Sequence, residues 1–395
     1  VPARRIKENI YGVGAIDWHR KLFDAFIPLP HGTSYNAFLI KGSSKTALID
    51  TVDPERWGEL KTNLEQLHLK KLDYIISNHA EQDHSGSIPE VLSMFPEAKV
   101  VTNTKCKGLL SDLLALPEEK FIVIDDKKNE AISLGDKTLR FFSAPWVHWP
   151  ETMLTYLEED KILFSCDLFG SHLATSDLFA ENQGLVFSEA KRYYAQIMMP
   201  YAKSIVRYLD VVDSLGINMI VPSHGPIYDK PDFIIDAHRD WVSENSKNSV
   251  TIFYISMHGS TQKMVQFLME LLIQHDIHVE PFNLIEADFG EVAMSLVDAT
   301  TLIFASPAFL VGPHPKMIYA ASMVNALKPK ARYAAIIGSY GWGNKMVDGL
   351  AAILSGLKIE YLTSVLAKGI PTNQTFSELE LLAKEITDKH KSIFV

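Results

Sequence analysis

Two α/β units in tandem are predicted from this sequence. The first is a sandwich of two sheets with helices outside (residues 1–248), and the second a doubly wound, parallel five-stranded sheet (residues 249–395). Three observations lead there. The length, 395 residues, divides by about 150 per domain into two or three folding units. The polar run Ser243-Glu244-Asn245-Ser246-Lys247-Asn248-Ser249 separates a helical pattern from a fresh β-branched run and reads as a linker. The rhythm also changes across that run, from hairpins mixed with helices to strict strand–helix alternation.

Before the linker, Tyr35–Ile40 and Thr46–Asp50 flank Gly42-Ser43-Ser44 as a hairpin. Glu55–Leu67 reads as a helix leading into the strand Leu72–Ser77. Further strands read at Lys99–Val101, Phe121–Ile124, Leu139–Phe142, Ile162–Ser165 and Met219–Val221, the last stopped by Pro222. After the linker, strands read at Val250–Ser256, Val279–Leu284, Thr301–Ala305, Arg332–Ile337 and Ile359–Thr363, with helical patterns between. The first of those helices carries Met264, Val265, Phe267, Leu268, Leu271 and Leu272 at helical spacing, which makes them core residues.

Composition narrows the function classes. At 47% hydrophobic and 22% charged the chain is globular, neither disordered nor fibrous. No apolar run reaches about 18 residues, so no membrane span is expected. The basic segment Val1–Lys7 lacks the apolar core of a secretory signal. A net charge of −10 argues against a general nucleic-acid binder, since no excess of cations is present to displace phosphate counterions. Two cysteines, Cys106 and Cys166, allow one disulfide at most and exclude a four-cysteine iron centre or zinc ribbon. They fit a reducing cytoplasm, the expected location.

The chemistry concentrates at strand ends. Just past the strand ending at Ser77 comes His79-Ala80-Glu81-Gln82-Asp83-His84. Four potential ligands this close, at the carboxyl end of a buried strand, repel one another or stay poorly solvated unless a cation neutralises them. His148 follows another strand, Asp167 ends Leu163-Phe164-Ser165-Cys166-Asp167, and His224 follows Val221-Pro222-Ser223. Sites assembled from distant pieces are built at such termini. Cys166 points opposite to Asp167 along a strand and reads as packing. Trp146 and Trp149 flank His148, either as walls of the site or as packing. His19, His31, His68, His238 and His390 lack comparable company and read as structural or surface, with His172 a possible neighbour of the ligands.

In the second unit the first strand runs into Ser256-Met257-His258-Gly259-Ser260-Thr261, followed by a helix. Small hydroxyl residues and a glycine at such a turn present backbone N–H groups and a helix N-terminus to an anion; an ordinary N-cap needs only Ser260 or Thr261. No Walker sequence and no dinucleotide fingerprint follows, so a monophosphate is favoured. Ser306-Pro307-Ala308-Phe309 after the third strand and Ser339-Tyr340-Gly341-Trp342 after the fourth add flat aromatic groups at the carboxyl edge of the sheet. That edge suits a planar ring, the alternative for Tyr340 and Trp342 being surface loop aromatics.

The segment from His79 to His84, with His148, Asp167 and His224 in that order, resembles the metallo-β-lactamase superfamily, whose His-x-His-x-Asp-His motif and later His, Asp and His hold two metals. Glu81 stands where hydrolases of that superfamily carry histidine. A carboxylate there makes the site harder and shifts preference from zinc towards iron or manganese. The resemblance implies His79, Glu81 and His148 on one metal, Asp83, His84 and His224 on the other, and Asp167 as the bridge; in some relatives the counterpart of His84 turns away and water replaces it. Residues from about 250 onward resemble flavodoxin, although Ala308–His314 departs from the polar Thr-x-Asn of its relatives.

Together the halves resemble the flavodiiron proteins (A-type flavoproteins) over essentially the whole chain. That resemblance implies two non-haem irons, flavin mononucleotide (FMN), and reduction of dioxygen to water, nitric oxide to nitrous oxide, or both. It implies a head-to-tail homodimer and an external electron donor: a rubredoxin, a deazaflavin or another reductase. Tyr193 and Tyr194 match a segment near the metal pocket, where one of them either donates a hydrogen bond or proton to substrate or simply packs. The competing expectation is a dinuclear metallohydrolase fused to a flavodoxin module.

Overall fold

The computed structural model describes residues 2–125, 128 and 130–394; the outer limits of the two predicted units, residues 1 and 395, lie outside that set. The chain divides into two compact units, residues up to 194 with 201–242, and residues from 243 onward with 195–200.

The first unit is built on two sheets. One runs in the order Arg4–Lys7, Ile10–Gly12, Phe38–Lys41, Thr46–Ile49, Tyr74–Ile76, Lys99–Asn103, Phe121–Ile124. The other runs Ala131–Ser133, Thr138–Ser143, Met153–Leu157, Ile162–Cys166, Met219–Pro222. Successive side chains on a strand face opposite ways, and here both faces are buried. Ile40, Ile49, Ile76 and Val101 pack with Phe141, Leu157, Phe164 and Val221 between the sheets. Their neighbours Leu39, Leu48, Ile75 and Val100 pack outward on Leu60, Leu64, Ile88, Val91 and Leu110 of the covering helices. Each such aliphatic side chain contributes about 1.5–3 kcal/mol by leaving water.

Burial on both faces also explains one omission from the sequence reading. Met153–Leu157 is buried at all five positions, so it shows no alternation to mark it as a strand. The predicted run Tyr35–Ile40 is two strands: Thr33–Tyr35 pairs with Ala15–Asp17, whereas Phe38–Lys41 joins the large sheet. The predicted helix from Glu55 begins as a turn at Pro54–Arg56, capped by Asp53, and continues as Trp57–Gln66.

The second unit has strand order His278–Asn283, Ser249–Tyr254, Thr301–Phe309, Tyr333–Tyr340, then a fifth position, all parallel. Stepping outward from the first strand in both directions makes it doubly wound, with the reversal of direction between Ser249–Tyr254 and Thr301–Phe309. The fifth position is split into Glu360–Tyr361 and Val365–Lys368, and so extends past the predicted Thr363. Met264 and Leu268 are core, as expected. The third strand runs beyond the predicted Ala305 to Phe309 and doubles back, pairing Ala308 with Pro313 and Phe309 with Gly312. Ser306–Phe309 and Ser339–Tyr340 are therefore strand ends, held by the pairs Ser306–Gly338 and Pro307–Ser339. Among the described residues, no helix is long and apolar enough to cross a membrane.

Candidate metal centre and anion-binding loop

All seven predicted ligands converge in the first unit. His79 and Glu81 lie on the loop after Tyr74–Ile76, and Asp83 and His84 on the single turn Gln82–Ser85. His148 comes from the loop between Thr138–Ser143 and Met153–Leu157, Asp167 directly follows Ile162–Cys166, and His224 follows Met219–Pro222. Parallel pairing of the last two strands brings Asp167 and His224 out at the same edge.

The seven form two sets, His79–Glu81–His148–Asp167 and Asp83–His84–His224, with donor atoms of each set within 4.8 Å of one another. In the first, Glu81 Oε2 lies 3.1 Å from His79 Nε2 and 3.2 Å from His148 Nε2. Asp167 Oδ2 lies 3.6 Å from His79 Nε2 and 3.4 Å from His148 Nε2. In the second, His84 Nε2 lies 3.3 Å from Asp83 Oδ1 and His224 Nε2 3.2 Å from Asp83 Oδ2. Asp167 Oδ1 lies 3.1 Å from His84 Nε2 and 3.4 Å from His224 Nε2. The two oxygens of Asp167 thus serve different sets, as a bridging carboxylate requires.

These spacings fit a shared ion. Ligands about 2.1 Å from a metal stand roughly 3.0–3.4 Å apart around it. Both oxygens of Asp83, both nitrogens of His84 and both oxygens of Asp167 are buried without a hydrogen-bond partner among the described residues; their close approaches lack hydrogen-bond alignment. Leaving such atoms unsatisfied costs about 1–3 kcal/mol each, which a cation in each set would offset. Without a cation the cluster balances its charge by protonation. Burial alone would push His224 and His148 down, yet Asp167 with Asp83 or Glu81 holds them up, at about 10 and about 9. Binding a metal would release those protons. Metal and residues fit.

The second locus lies in the other unit. Ser256-Met257-His258-Gly259 connects Ser249–Tyr254 to the helix Ser260–Gln274, and Gly259, at φ +86°, caps it without a side-chain bond. A Cβ on Gly259 would meet nothing within 4 Å, so the backbone is left open there. Ser256 Oγ accepts from the Gly259 amide at 3.0 Å, and Thr261 Oγ1 and Ser339 Oγ are 3.1 Å apart. Ser306 is buried and holds its own hairpin, accepting from the His314 amide at 3.2 Å. Met257, Phe309 and Trp342 are exposed at this edge, Trp342 by 84%. An open amide cradle beside exposed aromatic groups fits a phosphorylated planar ring.

A family profile described as "ODP family beta lactamase" matches residues 33–225. The chain is 35% identical to the nitric oxide reductase of Moorella thermoacetica, over 90% of each chain. It is 30% identical to the flavo-diiron protein FprA2 of Clostridium acetobutylicum, covering 91% of this chain and 92% of that one. The chain belongs to the flavodiiron family. Rubredoxin oxygen:oxidoreductase from the anaerobe Desulfovibrio gigas superposes on it with a TM-score of 0.95, at 28% identity and 100% coverage of both chains. A flavin and a diiron pair are the cofactors for which flavodiiron proteins are named.

The flavodiiron centre has a supporting layer that sequence reading missed. Glu151, buried, places Oε1 2.7 Å from His79 Nδ1 and 3.1 Å from the Ala80 amide. His224 Nδ1 donates to the Ser34 carbonyl at 2.6 Å, and both contacts turn Nε2 towards the metal position. Asp50 accepts from the Asn78 amide and side chain at 2.8 and 2.9 Å, pinning the loop before His79. An acidic residue inside Trp149-Pro150-Glu151-Thr152-Met153 was the one available signal for Glu151.

Other expectations sort by geometry. Trp149 stacks edge-on against His79 at 4.9 Å and walls the centre, whereas Trp146 is exposed and lies over Tyr201. His172 is buried with its ring 4.9 Å from His224 and 4.8 Å from Tyr193, and His238 is a packed structural residue. Cys166 is buried and in neither donor set. Tyr193 lies 5.8 Å from the His224 ring; burial, then Asp167, pushes its phenol well above the usual range. Tyr194 points elsewhere, donating to the Trp241 carbonyl at 3.2 Å and packing on His238 and Trp241. The expectation of one tyrosine at the metals narrows to Tyr193.

Proposed function

We propose that this chain reduces dioxygen to water, nitric oxide to nitrous oxide, or both. In this reading His79, Glu81, His148, Asp83, His84 and His224 hold two irons bridged by Asp167, and the loops at 256–261, 306–309 and 339–342 hold FMN. The observation that carries it is the carboxylate of Asp167, whose two buried oxygens, without a hydrogen-bond partner among the described residues, are each directed to a separate donor set. When bound, the iron pair and the flavin supply the electrons of the reduction.

The residues contribute position and protons. Glu81 hardens the first position and favours iron over zinc. Tyr193, kept protonated by burial and by Asp167, offers a hydroxyl donor at the pocket. Trp149 packs at right angles against the His79 ring. The amides of Ser260 and Thr261 bind the phosphate, with the Gly259 amide held by Ser256 Oγ, and Tyr340 and Trp342 flank the ring.

The relatives named for nitric oxide reduction and for rubredoxin:oxygen oxidoreduction support both the gaseous substrates and a rubredoxin-like donor. A deazaflavin or other reductase is the alternative donor. We also propose a cytoplasmic, head-to-tail homodimer in which one subunit's flavin serves its partner's irons. The test is anaerobic reduction followed by parallel consumption of each gas, with iron and flavin counted on the same sample. About two irons and one FMN per chain with gas turnover is expected; zinc without flavin refutes the reading. A mixture of flavin-deficient and metal-deficient variants should recover activity if dimers form head to tail.

A further inference from the structure

Three imidazoles with assigned environments differ in what stands behind them. His79 Nδ1 faces a carboxylate, Glu151 Oε1, at 2.7 Å. His224 Nδ1 faces a neutral carbonyl, that of Ser34, at 2.6 Å. His84 Nδ1 is buried with no partner among the described residues. Glu151 is itself fully buried, and its Oε1 also accepts from the Ala80 amide at 3.1 Å. Its other oxygen is buried and unpartnered, so its charge is directed into His79 and not dissipated in water. Asn103 Nδ2 holds the Glu151 backbone carbonyl at 2.6 Å, and Asn103 Oδ1 also caps the helix Thr104–Leu114. The carboxylate therefore stands on a rigid support.

An anion hydrogen-bonded to the far nitrogen of a ligating imidazole makes the near nitrogen more basic and more electron-donating. The two metal positions each carry one carboxylate of their own (Glu81 or Asp83) and share Asp167. Among the described residues, only the first position has a further buried carboxylate hydrogen-bonded to the far nitrogen of one of its imidazoles; Asp50, also buried, acts on His84 through space and commits its oxygens to Asn78. From this asymmetry, which rests on the diiron reading above, we propose that Glu151 is a positioning residue that makes the two metal positions unequal. It acts through His79, so that the iron at His79–Glu81–His148 is the more tightly retained and the first to become ferric.

Two variants separate orientation from charge. In Glu151→Gln the amide oxygen can still accept from His79 and Ala80, keeping the ring in place while removing the charge. In Glu151→Ala both are lost. The full-length protein is loaded with iron, then titrated with a chelator, and separately poised by electrochemical mediators and read by Mössbauer spectroscopy. Wild-type protein should lose iron in two phases and show one site turning ferric before the other. Glu151→Ala should weaken retention at the tighter site about 10- to 100-fold and merge the phases. Glu151→Gln should largely restore retention yet shift the first oxidation to higher potential, with flavin content unchanged.

Failures are distinguishable. Wild-type protein that takes up no iron pair sinks the functional reading itself. Two irons in the wild type, with Glu151→Gln and Glu151→Ala both retaining the wild-type phases and potentials, overturns the role of Glu151 alone. Loss of both irons together in Glu151→Gln, with an unchanged melting curve of the metal-free protein, also overturns it, because the effect would not be confined to one position.

Discussion

Replacing Gly259 with alanine tests the cradle proposed for the flavin phosphate. Two effects of the methyl group are separable. Gly259 sits at φ +86°, where an L side chain costs about 1–2 kcal/mol, equivalent to a roughly 5- to 30-fold change in the folding constant. That strain is common to free and flavin-bound protein and cancels from the affinity. The new Cβ meets no protein atom within 4 Å, so any loss of affinity must arise because the methyl occupies the space of the ligand. A phosphate held by the amides at 260–261, beside Gly259, would be displaced, with a loss above about tenfold, or 1.4 kcal/mol. The assay is titration of flavin-free protein with FMN and, in parallel, with riboflavin, which lacks the phosphate. FMN affinity should fall and riboflavin affinity should hold. Gly216→Ala, at φ +58° in equally open surroundings, is the control for backbone strain without a cradle. An unchanged FMN affinity in Gly259→Ala, or equal losses for both flavins, would refute the placement.

Three further outcomes are expected. Glu81→His should lower gas-reducing turnover while flavin content stays the same, because an imidazole softens the first metal position; full turnover in the variant removes Glu81 from the argument. Tyr193→Phe should cut turnover about 10²-fold or more at constant iron content, whereas Tyr194→Phe, whose hydroxyl is committed to Trp241, should affect melting and not turnover. His238 is buried, which depresses its imidazole to about 4 against about 6.5 in the unfolded chain. Its contribution is complete above about pH 6.5 and is lost as pH falls towards 4, at up to about 1.4 kcal/mol per pH unit. Urea midpoints across that range should fall less steeply in His238→Gln, and equal slopes would contradict the assignment.

The linear chain already spelled out the donor set and both architectures. Ligand types cluster in His79–His84 because a motif built on one loop keeps its spacing in sequence, and the second unit alternates because each parallel strand needs a crossover helix. Boundaries were less legible. The hairpin at Ala308–Pro313 and the split fifth strand depend on cross-strand pairing, which local propensity does not encode.

Three-dimensional packing settled what spacing could not. Asp167 faces both donor sets with different oxygens, a matter of side-chain rotation at the meeting point of two sheets. Tyr193 and Tyr194 are adjacent in sequence, yet the helix turns one towards His224 and the other towards Trp241. Glu151 is an unremarkable acid on paper and a buried partner of His79 in the fold, 72 residues away along the chain. Residue identities carry chemical type, but contacts between distant segments arise only when burial of apolar surface brings those segments together, and the charge environment of the metal positions is made by such contacts.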